Sequence, residues 1–183
     1  MITITRWPAI ILANYRTGSS PLTYKLGLDN NVPCFVEPSI TEERTILFLN
    51  HLKTSNPFLV KFMPDQIQGF EPYRQLLETD CFKIKLKRNN KVEQIASYYL
   101  ALVRDKWWTT EQEEDKDYFI PIFDDKIEYS IKKITEVDSM LDSYHTDHEL
   151  SFEDFSFIEG IDRKHSHKPK NIERLYELIK GKL

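Results

Sequence analysis

A turn rich in glycine, serine and threonine follows the first apolar run of the chain and carries the residues best suited to chemistry. The run Ala9–Ala13 leads into Arg16-Thr17-Gly18-Ser19-Ser20, and a helix is predicted from Ser20 onward. A strand that ends in such a turn at a helix N-terminus presents backbone N–H groups and the positive end of the helix dipole. The flat Arg16 guanidinium adds a cation that suits phosphate or sulfate oxygens. The turn therefore predicts an anion-binding site.

A second predicted strand ends in a cation in the same way. The segment 81–88 ends at Arg88, Asn89 follows it, and Ser97 lies in the next predicted helix. In open α/β sheets, ligands bind at the carboxyl ends of strands near the point where the strand order reverses. Two cationic strand ends predict two separated anionic groups on one ligand, which indicates a nucleotide with phosphates on both sides of its ribose.

The elements that must position these residues alternate between short β-branched apolar runs and longer helical patterns. This alternation predicts an α/β fold with a mainly parallel sheet flanked by helices. Strands are predicted over 9–13, 33–37, 58–63, 81–88 and 149–155, and helices from 20 onward and over 41–53, 72–78, 91–107, 125–144 and 171–180. The 183 residues contain no internal repeat or low-complexity linker, so we expect one domain over 1–183.

Composition excludes several classes of protein. The formal net charge of −4 argues against nucleic-acid binding driven by global charge. No apolar run approaches the ~20 residues that cross a bilayer, and 8–13 is too short for the core of a signal peptide. Cys34 and Cys81 lack metal or redox spacing, and His145 and His148 lack further ligands at a suitable spacing. We therefore expect a cytoplasmic protein with no metal and neither a nucleic-acid nor a membrane partner.

Taken together, the two cationic motifs resemble the sulfotransferases that use 3′-phosphoadenosine 5′-phosphosulfate. Tyr15-Arg16-Thr17-Gly18-Ser19-Ser20 is similar to the 5′-phosphosulfate loop of that family. The segment 85–97 is similar to its 3′-phosphate motif, and Phe62-Met63 and 151–155 match the intervening and late strands. The resemblance covers 9–155 and is nearest to the bacterial trehalose-type branch. It implies a P-loop-like sulfotransferase fold that binds the phosphosulfate donor and its product, 3′-phosphoadenosine 5′-phosphate.

The resemblance also implies a role for each motif residue. Arg16 would hold the sulfate and the bridging oxygen. The family places an Arg eight positions before the Ser, whereas Arg88 precedes Ser97 by nine and Asn89 by eight. Arg88 is therefore the expected 3′-phosphate cation, with Asn89 as the alternative. The remaining expected donor-binding residues are Thr17, Gly18, Ser19, Ser20, Ser97 and Lys164. Lys164 belongs to a basic segment, 163–168, for which a solvated loop is the alternative.

A carboxylate completes the expected site. Glu37 stands nineteen residues after Gly18, a spacing that resembles the proposed general base of the trehalose-type branch. The alternative is a surface carboxylate before a Pro-Ser turn. Lys61 interrupts an otherwise apolar strand, which is unusual unless the lysine is paired or serves a site.

These observations predict a sulfotransferase that acts on a hydroxyl of a small-molecule or glycan acceptor. The chain is short for that family, so we expect an acceptor pocket that is either open or completed by a second subunit in a homodimer. A kinase-type loop is disfavoured because Gly-x-x-x-x-Gly-Lys-(Ser/Thr) is missing. Two alternatives remain: a non-catalytic protein that binds a nucleotide or polyanion, and a structural protein whose first loop is only a tight turn.

Overall fold

The protein is an α/β domain built on a five-stranded parallel sheet. A computed structural model describes residues 2–105, 107, 118–154 and 168–183. The strands are β1 (Ala9–Ala13), β2 (Cys34–Val36), β3 (Leu59–Phe62), β4 (Phe82–Lys87) and β5 (His148–Ser151). The helices are α1 (Ser19–Asn30), α2 (Glu42–Leu52), α3 (Glu71–Glu78), α4 (Lys91–Arg104), α5 (Asp124–Asp142) and α6 (Ile172–Lys180). The strand order is β2-β3-β1-β4-β5, and every neighbouring pair is parallel. The predicted α/β class is confirmed.

Burial on both faces explains why the central strands read as continuous apolar runs. All five residues of β1 are buried. Ile10 and Leu12 pack with Phe48 of α2 and Tyr73 of α3 on one face. On the other face, the alternate residues of β1 pack with Leu22 of α1. Helices therefore cover both faces of β1. Because β1 is the central strand, its carboxyl end lies at the middle of the carboxyl edge of the sheet.

The side chains of β4 alternate between the two faces of the sheet. Phe82, Ile84 and Leu86 join the cluster on the α1 face. On the opposite face Lys85 is only 7% exposed and lies 3.7 Å from the Glu149 carboxylate of β5. The ion pair with Glu149 on the neighbouring strand therefore balances the charge of Lys85, which is buried instead of solvated.

Two predicted elements end three or four residues earlier in the structure than in the sequence pattern. The helix predicted over 91–107 ends at Arg104, because Asp105 adopts a left-handed conformation (φ 51°) and caps α4. The late strand predicted over 149–155 ends at Ser151. There the Ser151 N–H donates to Asp154 and the Asp154 N–H donates back to the Ser151 hydroxyl, which forms a turn.

A third apolar cluster packs the last helices together. Residues of α4, α5 and α6 meet there, including Tyr99, Ile127 and Leu175. None of the helices in the described ranges has the length and apolar character to cross a membrane.

Candidate functional site

The carboxyl ends of β1 and β4 lie side by side at a reversal of the sheet topology. β1 is followed in sequence by β2 on one side of it, whereas β4 is followed by β5 on the other. Such a reversal opens a crevice at the carboxyl edge in open α/β sheets. Arg16 follows β1 and Arg88 follows β4, so both cations flank this position.

Hydrogen bonds within the turn and to α4 and α5 hold the turn after β1. The Thr17 hydroxyl donates to the Asn14 carbonyl (2.8 Å), and the Gln94 amide of α4 donates to the Tyr15 carbonyl (2.8 Å). The fully buried Asn14 amide donates to the Ile134 carbonyl of α5 (2.8 Å). The turn is therefore fixed against α4 and α5 and is not a loosely tethered loop.

Backbone conformation sets two residues of the carboxyl edge apart. Within 2–105, 107, 118–154 and 168–183, the non-glycine residues with positive φ are Arg16 (59°), Asn31 (53°), Glu37 (47°) and Asp105 (51°). Asn31 and Asp105 are C-caps of helices, where this conformation is common. Arg16 and Glu37 instead follow strands. A non-glycine residue in this region costs of order 1–3 kcal/mol and is found disproportionately at functional sites.

The N-terminus of α1 is open to an anion. Gly18 (φ 68°) is its N-cap and has no side chain with which to satisfy the first N–H groups. The first turn contains Ser19, Ser20 and Pro21 and no acidic residue, so no carboxylate neutralises the helix dipole there. Ser19 is 5% exposed, and Ser20 is half-buried.

Arg16 reaches across to α4. Its Nε donates to the Ser97 hydroxyl (2.9 Å), and its Nη1 donates to the Trp107 carbonyl (3.2 Å). Burial and the neighbouring Arg88 guanidinium hold the pKa of Arg16 below its ordinary value. The resemblance assigns Arg16 to the 5′-phosphosulfate and Ser97 to the 3′-phosphate of the nucleotide, which are opposite ends of that ligand. In the structure the two side chains are in direct contact.

Arg88 points toward the same turn. Its Nη1 donates to the Arg16 carbonyl (3.3 Å), its Nη2 pairs with Glu93 (2.7 Å), and its guanidinium carbon lies 4.6 Å from the Phe152 ring centroid. Its Nε is buried and has no hydrogen-bond partner in the part of the chain that the structure describes. Asn89 is exposed, and its backbone N–H donates to Glu153 (3.0 Å). The cation that faces the turn is therefore Arg88. We call Arg16, Arg88 and Ser97 the arginine site.

Glu37 is buried, so the alternative of a surface carboxylate is wrong. Glu37 is 6% exposed, and its Oε1 forms an ion pair with the Lys61 ammonium of β3. Its Oε2 accepts from the Gln66 amide at 3.3 Å. Burial lowers the pKa of Lys61, and the adjacent Glu37 carboxylate opposes that shift. The expectation that Lys61 is paired or serves a site is met by this pairing. We call Glu37 and Lys61 the carboxylate pair.

Tyr15 and Asp65 connect the arginine site to the carboxylate pair. The Tyr15 hydroxyl donates to Asp65 Oδ2 (2.8 Å), which also pairs with Lys133 of α5 (2.6 Å). Burial, followed by the Asp65 carboxylate, raises the pKa of Tyr15. Sequence reasoning missed Asp65 and Gln66. Their signal was the Pro64-Asp65-Gln66 turn immediately after β3, at the same edge of the sheet.

Lys164 lies outside the described residues. Lys168, at the end of the same basic segment, lies 3.8 Å from the carboxylate of Glu93, which also pairs with Arg88. Lys168 therefore lies beside the first turns of α4. No group of three or more potential metal-ligating side chains occurs among the described residues.

The comparisons with known proteins add little to this geometry. No family model matches the chain, and no curated protein matches it. A solved structure of an uncharacterized protein from Eubacterium ventriosum is similar to 79% of this chain and 88% of its own, with 10% identity and a TM-score of 0.36. A likeness of that size supports no conclusion about function.

Proposed function

We propose that the protein is a sulfotransferase that moves a sulfuryl group from 3′-phosphoadenosine 5′-phosphosulfate to a hydroxyl. The observation that carries this proposal is the convergence of Arg16 and Arg88 at the topological reversal between β1 and β4. Two like charges placed together raise each other's energy, and a polyanionic ligand relieves that repulsion.

The residues at this edge suit such a nucleotide. The open N-terminus of α1 offers backbone N–H groups to a phosphate, and Gly18 permits a close approach of the backbone. The buried Arg88 Nε lacks a hydrogen-bond partner within the described ranges and is a donor suited to an anionic oxygen.

The acceptor is proposed to be a small molecule or a glycan with a reactive hydroxyl. Glu37, at the carboxyl end of β2, is the proposed general base. A base must come within hydrogen-bond distance of the proton that it removes. The Tyr15–Asp65 hydrogen bond and the adjacent Gln66–Glu37 contact run between the arginine site and Glu37, which is where an acceptor would have to bind.

Calorimetric titration with 3′-phosphoadenosine 5′-phosphate tests the donor site. We expect this nucleotide to bind at least about tenfold more tightly than ADP, because a charge-assisted hydrogen bond to the 3′-phosphate contributes about 1.5–3 kcal/mol. Transfer is then measured with sulfur-labelled donor and a panel of mono- and disaccharides. Equal binding of the two nucleotides would contradict the proposal.

A non-catalytic nucleotide-binding protein is the second candidate. Both Glu37 oxygens already have partners, Lys61 and Gln66, so the carboxylate is satisfied as a purely structural group would be. Nucleotide binding without transfer to any acceptor, unaffected by Glu37→Gln, would identify this second function.

A further inference from the structure

The two oxygens of the buried Glu37 carboxylate have unequal partners. The Lys61 ammonium holds Oε1 in an ion pair whose side chains are only 4% and 8% exposed. Oε2 accepts from the neutral Gln66 amide at 3.3 Å, which is long for a hydrogen bond. The ion pair joins two opposite charges, whereas the Gln66 bond joins the carboxylate to an uncharged donor and is long. Oε2 is therefore the oxygen whose partner is more easily replaced.

Strand pairing does not require this ion pair. β2 already pairs with β3 through Cys34, Phe35 and Val36, and the Glu37 N–H extends the ladder to the Lys61 carbonyl (2.8 Å). Replacing a buried ion pair with packed apolar residues is often neutral or stabilising. Glu37 therefore carries two energetic costs: the burial of an ion pair, and a left-handed backbone conformation with φ 47°.

Gln66 is itself held in place. Its Oε1 accepts from the Met63 N–H (3.0 Å), so its amide nitrogen points toward Glu37 without depending on that contact. Loss of the contact leaves Gln66 anchored through its other atom. An incoming hydroxyl can therefore take its place at Oε2 while the local fold persists.

We propose that Lys61 is a positioning residue that fixes Oε1 of Glu37 and leaves Oε2 to receive the acceptor hydroxyl in place of the Gln66 amide. This inference rests on the proposed sulfotransferase function. In the transfer, the acceptor oxygen bonds to sulfur as its O–H bond breaks, and the proton passes to Oε2. The bond from sulfur to the bridging oxygen breaks, and its electron pair leaves on the 5′-phosphate of the nucleotide.

Lys61→Met and Lys61→Arg test the role of the lysine. We expect Lys61→Met to lower kcat about 100-fold while the affinity for 3′-phosphoadenosine 5′-phosphate stays within about twofold, and Lys61→Arg to recover most of the rate. Lys85→Met is the matched control, because Lys85 is a buried strand lysine outside both the arginine site and the carboxylate pair. A kcat for Lys61→Met equal to that of Lys85→Met overturns the inference and leaves the proposed function intact.

Gln66→Leu tests the choice of oxygen without disturbing the ion pair. Removal of the competing amide is expected to lower the KM for the best acceptor of the saccharide panel by about tenfold, the lower end of what a hydrogen bond to a charged group contributes. An unchanged or higher KM places the hydroxyl elsewhere and overturns the assignment. Wild-type protein that transfers to no acceptor overturns the proposed function, and the inference with it.

Discussion

The arginine site and the carboxylate pair lie at the same edge of one sheet, but the first brings like charges together and the second brings opposite charges together. Each includes a non-glycine residue with positive φ in the segment that follows a strand. In the arginine site two cations stand together, and burial and like charge lower the pKa of Arg16. In the carboxylate pair opposite charges meet and are enclosed, with each side chain under a tenth exposed.

The charges of the arginine site therefore favour the binding of an anionic ligand, whereas the carboxylate pair is electrostatically balanced without one. Adjacent guanidinium groups, only partly balanced by Glu93, are relieved by an anion. An enclosed ion pair is already balanced, so its use is to hold a charged group in one orientation. The arginine site therefore fits substrate binding, and the carboxylate pair fits a prepared catalytic group.

The largest effect on rate is expected from Glu37→Gln. Loss of a general base costs about 10²–10⁴-fold, so kcat should fall by that factor while donor affinity is retained, because the arginine site is untouched. Steady-state transfer kinetics with calorimetry checks both quantities. Glu71→Gln, which removes an exposed carboxylate of α3, is the control. A rate near that of the control removes Glu37 as the base.

Glycine substitutions test the comparison through stability. Arg16→Gly relieves backbone strain but adds chain entropy to the unfolded state, so its free energy of unfolding should stay within about 1 kcal/mol of wild type. Glu37→Gly relieves the same strain but leaves Lys61 buried without a partner, at an expected cost of about 3–5 kcal/mol. Urea unfolding measures both variants. Equal losses of unfolding free energy in the two variants would show that the arginine site and the carboxylate pair do not differ electrostatically.

Arg16→Ala is expected to lower kcat by about 10²–10³-fold, the cost of removing one donor that stabilises developing negative charge. Arg16→Lys should recover only part of the rate, because an ammonium lacks the planar fork. Arg74→Ala is the control, since Arg74 lies in an exposed ion pair on α3. If Arg16→Ala behaves like Arg74→Ala, the turn after β1 does not bind the reacting group.

The smallest expected change distinguishes Arg88 from Asn89. Arg88→Ala should weaken binding of 3′-phosphoadenosine 5′-phosphate by about 10–100-fold, because it removes a charge-assisted contact. Asn89→Ala should alter binding by less than about twofold, since the Asn89 side chain is exposed and its backbone bond to Glu153 is retained. Calorimetry compares the two. The reverse order would assign the 3′-phosphate to Asn89.

Sequence patterns predicted the individual strands and helices well because each is defined by a local apolar pattern and local capping. The apolar run of β1 has the predicted bounds, and the Thr41 hydroxyl caps α2 as a side chain of that type does at an N-terminus. The end of α4 was predicted three residues too late, because the left-handed conformation of Asp105 is not encoded in an apolar period. The turn at Ser151 depends on a reciprocal side-chain contact with Asp154 that periodicity does not report.

What the sequence by itself determined is the identity of the strand-end residues: a cation after β1, a cation after β4, and a carboxylate after β2. Only the tertiary structure decided how they combine. Parallel pairing of β2 with β3 encloses Glu37 with Lys61, and the placement of β1 beside β4 brings Arg88 to the Arg16 carbonyl. Both contacts join residues far apart in the chain, 24 and 72 positions respectively. Local propensity acts over a few residues, whereas charge pairing and burial depend on which strands become neighbours.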